Sequence, residues 1–156
     1  MTTATFTLVH VLLSLVGIAS GLLVVYGMLR GKRFDGATAI FLVTTALTSL
    51  TGFLFPVEHI LPSHIFGIIS LVALAIAIPA RYTLRLAGAW RTIYVVCAVL
   101  ALYLNVFVLV VQVSLKVPAA HALAPMGKEP PFLIAQVVVL AIFVVLGILA
   151  VKKFHP

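Results

Sequence analysis

Charge is what this chain has least of. Only 8% of its 156 residues are Asp, Glu, Lys or Arg, against about 25% in an ordinary soluble domain. A chain this short keeps a large surface for its volume, so 64% hydrophobic residues cannot all be hidden from water. The solvent that suits such a composition is lipid. Acids are scarcest: Asp35, Glu58 and Glu129 are the three. They lie far apart in sequence and form no paired-carboxylate motif. No glycine-rich phosphate loop and no nucleophile–base pair stands out either, so an enzyme is the least supported class. The one cysteine, Cys97, falls in an apolar run. It excludes an intrachain disulfide, carries no information on redox compartment and reads as a small packing residue. No basic region precedes the first apolar run, which is too long for a secretory h-region, so no cleavable signal is expected.

What is present is a series of apolar segments. Five stand out, at about 6–29, 37–55, 64–79, 92–115 and 132–151. Each must be helical, because a backbone crossing lipid has to satisfy its own hydrogen bonds. A barrel would need alternating strands of about ten residues, and no such alternation appears. The expectation is an all-α membrane protein in which residues 1–156 form a single domain, a five-transmembrane-helix bundle. The third segment is the shortest. The Lys116–Pro131 connection holds Pro118, Pro125, Pro130 and Pro131 and reads as irregular but stiff.

The basic residues orient this bundle. Arg30, Lys32 and Arg33 lie in the first connection, Arg81, Arg85 and Arg91 in the third, and Lys152 and Lys153 at the C-terminus. In a five-span chain these eight fall on one side, and Lys116 and Lys128 on the other. The positive-inside rule then places the N-terminus outside and the C-terminus in the cytoplasm, in a bacterial inner membrane. The net charge of +7 is thus a topology signal that also favours anionic lipid headgroups. It does not point to nucleic acid, because the cations sit at helix ends rather than on a stripe with aromatics. Trp90 and Tyr82 read as belt anchors near the inner surface.

Polar residues inside the apolar runs mark the helix faces that turn away from lipid. His10, Ser14, Gly17 and Gly21 recur at intervals of four, three and four and share one face, with a small-xxx-small pattern that lets backbones approach. Asn105 and Gln112 are seven apart on one face, and Gln136 is the amide of the last segment. Primary amides in lipid are costly without partners, so these three face the interior. The hydroxyls of Thr44, Thr45, Thr48, Ser49 and Thr51 can bond their own backbone.

A polar island, Pro56-Val57-Glu58-His59-Ile60-Leu61-Pro62-Ser63-His64, separates the second and third segments. With the orientation above, it shares the outer end with His10, His121, Gln112 and Gln136. Four of the five histidines therefore gather there, and His155 is incidental. Three chemistries follow. Haem b could be held between helices by His10 and His64, with Gly17 and Gly21 making room for a flat ring. A transition metal could take His10, Glu58, His59, His64 and His121, although the spacing matches no standard signature. A quinone or other amphipathic molecule could bond His and Gln side chains between apolar walls. The first reading is cofactor binding in a respiratory or assembly context, with His10, His64, Asn105, Gln112 and Gln136 around the cofactor. The alternatives are a scaffold or accessory subunit with a membrane-protein partner or a second copy of the chain, and binding or transport of a small molecule.

At Ser63-His64-Ile65-Phe66-Gly67, at Pro79, and at Trp90-Arg91-Thr92-Ile93-Tyr94 with Leu102-Tyr103, the chain resembles small uncharacterised bacterial inner-membrane proteins, some related to families encoded beside cytochrome oxidase assembly genes. The resemblance covers the third and fourth segments and implies a haem or metal context. Those families carry a His-Arg pair before the helix that corresponds to the fourth. This chain has Ala89-Trp90-Arg91 there, with no histidine.

Overall fold

The computed structural model of the protein describes residues 2–54, 62–123 and 129–155. These residues form six helices and no strand: α1 (Thr3–Leu29), α2 (Asp35–Gly52), α3 (Pro62–Tyr82), α4 (Ala89–Lys116), α5 (Pro118–Leu123) and α6 (Pro130–Lys153). Four of them, α1, α3, α4 and α6, are long and apolar enough to cross a membrane, which marks a multi-pass membrane protein. Two fall short: α5, with 6 residues, and α2, whose 18 residues include Asp35 and six threonines and serines.

Helices α1, α2, α3 and α4 form a closed ring, each packed on the next and α4 returning to α1. Helix α6 lies outside the ring against α4 and α1, and α5 folds back on α4. Half of the ring is tightly filled. Met28, Phe41, Leu74, Tyr94 and Leu102 are almost fully buried there, beside Ala77, Ala80, Ala98 and Ala101. Small residues on α3 and α4 let the backbones close up, which is how helices associate when lipid offers no hydrophobic drive. The glycines of α1 serve the same packing. A Cβ on Gly21 would stand 2.7 Å from Leu102 Cδ1 and 2.9 Å from Phe41 Cδ1. The inward face expected for α1 is therefore observed, but the space expected beside Gly21 for a flat ring is filled by Phe41 and Leu102. Outward-facing Leu12, Leu23, Val43, Ile68, Val72, Val137 and Ile148 are exposed and form the lipid-facing wall.

The tight half ends where the basic residues are. Helix α1 stops in a Schellman turn: Lys32 N–H donates to Gly27 O at 2.7 Å and Gly31 N–H to Met28 O at 3.1 Å. Gly31 takes the left-handed conformation that this turn requires, with φ of 68°. Arg81, from α3, reaches across to this turn. Its Nη2 donates to Asp35 Oδ1 at 2.5 Å and to Arg33 O at 3.2 Å, and its Nη1 to Tyr94 Oη of α4 at 3.3 Å. Arg91 caps α6, its Nη1 donating to Val151 O at 2.8 Å and Phe154 O at 2.7 Å. These contacts gather the C-terminal ends of α1, α3 and α6 and the N-terminal ends of α2 and α4 at one end of the bundle, the basic end.

Several boundaries differ from the sequence expectation. Helix α3 is not the shortest: it runs for 21 residues, three past Pro79. Proline removes one donor and clashes one turn back, a smaller penalty near a helix end than in the middle. Arg81, expected in a connection, is consequently helical and buried at 2% exposure. Helix α4 starts at Ala89 and α6 at Pro130, each earlier than expected. The connection expected to be irregular contains α5, because Pro118 suits the first turn of a helix, where no donor is needed.

Candidate functional site

At the end opposite Arg81 the ring opens. Its four helices enclose a cavity of about 650 Å³. Its residues come from the faces that build the tight half. On α1 these are Thr7, His10 and Ser14, and on α2 Thr45, Thr48 and Gly52. Helix α3 adds His64, Gly67 and Ser70, and α4 adds Asn105, Val108 and Gln112. On each helix the face that is polar or small here becomes mainly apolar toward the basic end, as at Met28, Phe41, Leu74 and Leu102. The cavity is thus where inward side chains become too short to meet across the ring.

Three hydrogen-bonded units shape its wall. Thr51 donates its hydroxyl proton to Leu47 O at 2.7 Å, and the same hydroxyl is hydrogen-bonded to His10 Nδ1 at 2.8 Å. His64, buried at 9% exposure, stacks on Phe53, the residue that caps α2, with ring centroids 5.3 Å apart and 21° between planes. Gly67 lies one turn below. A Cβ there would come within 3.1 Å of the same Phe53 ring, so the glycine keeps α2 and α3 close. The third unit is the floor. Ser14 Oγ donates to Asn105 Oδ1 at 2.9 Å, and Asn105 Nδ2 faces Ser14 O at 3.5 Å. Both contacts require the same orientation of the amide, since a flip would set its oxygen against a carbonyl.

Beside that amide is Thr45 of α2. Thr38, Thr44, Thr48 and Thr51 each donate to the carbonyl four residues back. Thr45 does not. Its hydroxyl is buried, at 1% residue exposure, with no hydrogen-bond partner. A buried hydroxyl left in this state costs about 1–3 kcal/mol. At the other end of the cavity Lys116 is exposed on the wall and gives the mouth a positive charge.

The structure brings together His10, His64, Asn105 and Gln112 from the residues expected to hold a cofactor. Gln136 is elsewhere. It is buried on α6, with Nε2 donating to Phe107 O of α4 at 3.3 Å and Oε1 without a partner, on no wall of the cavity. Sequence periodicity turns an amide away from lipid but does not say which neighbour it meets. His121 is exposed on α5 and is also absent from the wall. Glu58 and His59 lie outside the described residues. Among the described residues no group of three or more His, Cys, Asp or Glu side chains could hold a metal ion. Ser70, Thr45 and Lys116 were missed as site residues. For α3 the signal was available, since His64, Gly67 and Ser70 fall at threefold spacing on one helix face.

No protein-family model, no curated protein and no solved structure matches this chain.

Proposed function

We propose that the protein is a five-span inner-membrane protein, N-terminus outside, whose cavity opens at the outer end and binds an uncharged amphipathic ring compound of the quinone class. At about 1.5 Å per residue α2 is roughly 27 Å long, close to the bilayer core of about 30 Å, and its place inside the ring supports a fifth crossing. The grouping of Arg30, Lys32, Arg33, Arg81, Arg85, Arg91, Lys152 and Lys153 toward one end supports the orientation.

The observation that carries the binding reading is the cavity itself. Apolar walls from Val11, Leu104, Val108 and Leu109 alternate with uncharged polar groups that include His10, Ser14, Asn105 and Gln112. That pattern belongs to small-molecule sites. The purified protein in detergent micelles should bind menadione, a quinone without a tail, saturably and at one per chain by isothermal titration calorimetry. Val108→Trp, which fills the cavity from α4, should abolish the heat. Absence of saturable binding by the wild-type protein would sink the proposal.

Haem b remains a second reading on one observation: His10 and His64 line the same cavity. A Soret band in the freshly purified protein, lost in both His10→Ala and His64→Ala, would favour it over the quinone. A spectrum without that band removes it.

A further inference from the structure

One side of the cavity faces lipid, and the inference drawn from it rests on the binding reading above. We infer that the seam between α1 and α4 is a lateral doorway to the bilayer, so that the cavity takes a ring compound bearing a hydrocarbon tail, with the tail in the seam.

Exposure separates two kinds of wall residue. His64, Ser70, Leu104 and Asn105 line the cavity and are at most 9% exposed, so facing the cavity alone leaves a side chain nearly inaccessible. Val11, Leu15, Val113 and Val117 line the same cavity and are 39–44% exposed. Their additional surface lies on the outside of the bundle.

These four residues form facing edges of two helices. On α1, His10 bonds Thr51 of α2 and Ser14 bonds Asn105 of α4. Val11 and Leu15 lie about 100° and 140° around the helix from His10, on the Ser14 side, and so turn toward α4. On α4, Val113 lies eleven residues, about three turns, beyond Leu102, whose Cδ1 meets the Gly21 position of α1.

The other three seams are bridged at this level. His10 bonds Thr51 between α1 and α2, and Phe53 stacks on His64 between α2 and α3. Phe66 of α3 meets Phe107 of α4 edge-on, with ring centroids 4.9 Å apart. Between α1 and α4 the Ser14–Asn105 pair lies at the floor, and Leu102 meets Gly21 below it. Helix α6 leaves the gap open. Among the described residues none of its side chains lines the cavity, and Gln136 joins it to Phe107 O, about 200° around α4 from Asn105. Both α1 and α4 are long and apolar enough to cross a membrane, so the gap opens on acyl chains.

The occupant follows from the two surfaces. Inside, His10, Ser14 and Gln112 suit a ring with polar atoms. The four edge residues offer no side-chain donor or acceptor, so a polar substituent there would lose its hydration without a partner. An acyl chain from a bilayer lipid matches the seam but not the polar wall within. A hydrocarbon tail joined to a quinone ring matches both.

The test compares menadione with menaquinone-2, the same ring with a two-isoprene tail, by calorimetry on the full chain in lipid nanodiscs. The wild type should bind both. Val113→Trp and Leu15→Trp each place an indole in the seam from a position already facing lipid. They should weaken menaquinone-2 by at least about tenfold and menadione by less than about twofold. Val138→Trp, on the exposed face of α6, should change neither. Partition into the disc is common to all variants and cancels. A diazirine at the end of the tail should form adducts at Val11, Leu15 or Val113 in the wild type, a readout that does not depend on any variant folding. Undiminished menaquinone-2 binding in both seam variants, equal weakening of the two compounds, or adducts confined to other helices would overturn the doorway and leave the cavity reading intact. A wild type that binds menadione alone would mean that a bilayer lipid holds the seam, with the same consequence. Failure of the wild type to bind either compound would overturn both.

Discussion

Arg81 and Asp35, 46 residues apart, meet at 2.5 Å between a buried guanidinium and a largely exposed carboxylate. The pair joins α3 to the first residue of α2, while the same guanidinium reaches Tyr94 on α4. One side chain thus ties α3 to α4, to the start of α2 and to the connection that follows α1 at the basic end. Charge removed from water needs a partner, and here the partner stays wet, so only one of the two ions carries a large desolvation cost.

Acid should loosen this tie. The Arg33 hydrogen bond first, and then Arg81, hold the Asp35 carboxyl below its ordinary value. A group whose native pKa is lowered contributes stability above its unfolded pKa and loses it as pH falls through the native one. Thermal melts in detergent should therefore drop as pH falls below about 4, near and below the usual Asp value. Asp35→Asn should be less stable at neutral pH and lack that part of the acid dependence. An unchanged acid limb in Asp35→Asn would show that the pair contributes nothing.

Gly21 is predicted to be the least replaceable residue of α1. Alanine there would gain about 1 kcal/mol of helix propensity but collide with Leu102 and Phe41. We expect Gly21→Ala to destabilise by about 1–3 kcal/mol, and Leu102→Ala in the same chain to recover part of the loss. Unfolding in mixed micelles measures both. Additive losses in the double variant would contradict the packing described.

Arg91 should govern the end of α6. Its two hydrogen bonds satisfy carbonyls that a helix end leaves open. Arg91→Ala should cost about 1–3 kcal/mol and speed amide exchange through the last turn of α6, with Arg91→Lys intermediate. Exchange unchanged in that turn would mean that lipid headgroups or water cap it equally well.

The five-span orientation has its own check. In a Cys97→Ala background, a cysteine in place of Lys32 should react with an impermeant thiol reagent only in inverted vesicles. A cysteine in place of Lys116 should react only in right-side-out cells. Labelling of both from the same side would reject the topology and the outward cavity together.

The inward face of α1 was legible because periodicity is a local property: His10, Ser14, Gly17 and Gly21 align on any helix, whatever packs against it. The same holds for Asn105 with Gln112, which share the cavity wall as they share a helix face. Arg81 was not legible in this way. In sequence it follows a proline at the end of an apolar run and resembles any cation at a membrane boundary, and its burial depends on a carboxylate supplied from another turn. Thr45 was hidden for the opposite reason. It sits among threonines that bond their own backbone, and only the approach of Gly17 and Asn105 sets it apart.

By itself, then, the order of residues determined the solvent, the helical character and which side of each helix turns from lipid, because these depend on composition and on a repeat of 3.6 residues. The tertiary structure alone decided which inward faces touch and which stand apart. That depends on the lengths of side chains meeting across the ring: where Phe41, Leu102 and Tyr94 meet, the bundle is closed, and where glycine, serine and threonine face one another, a cavity remains.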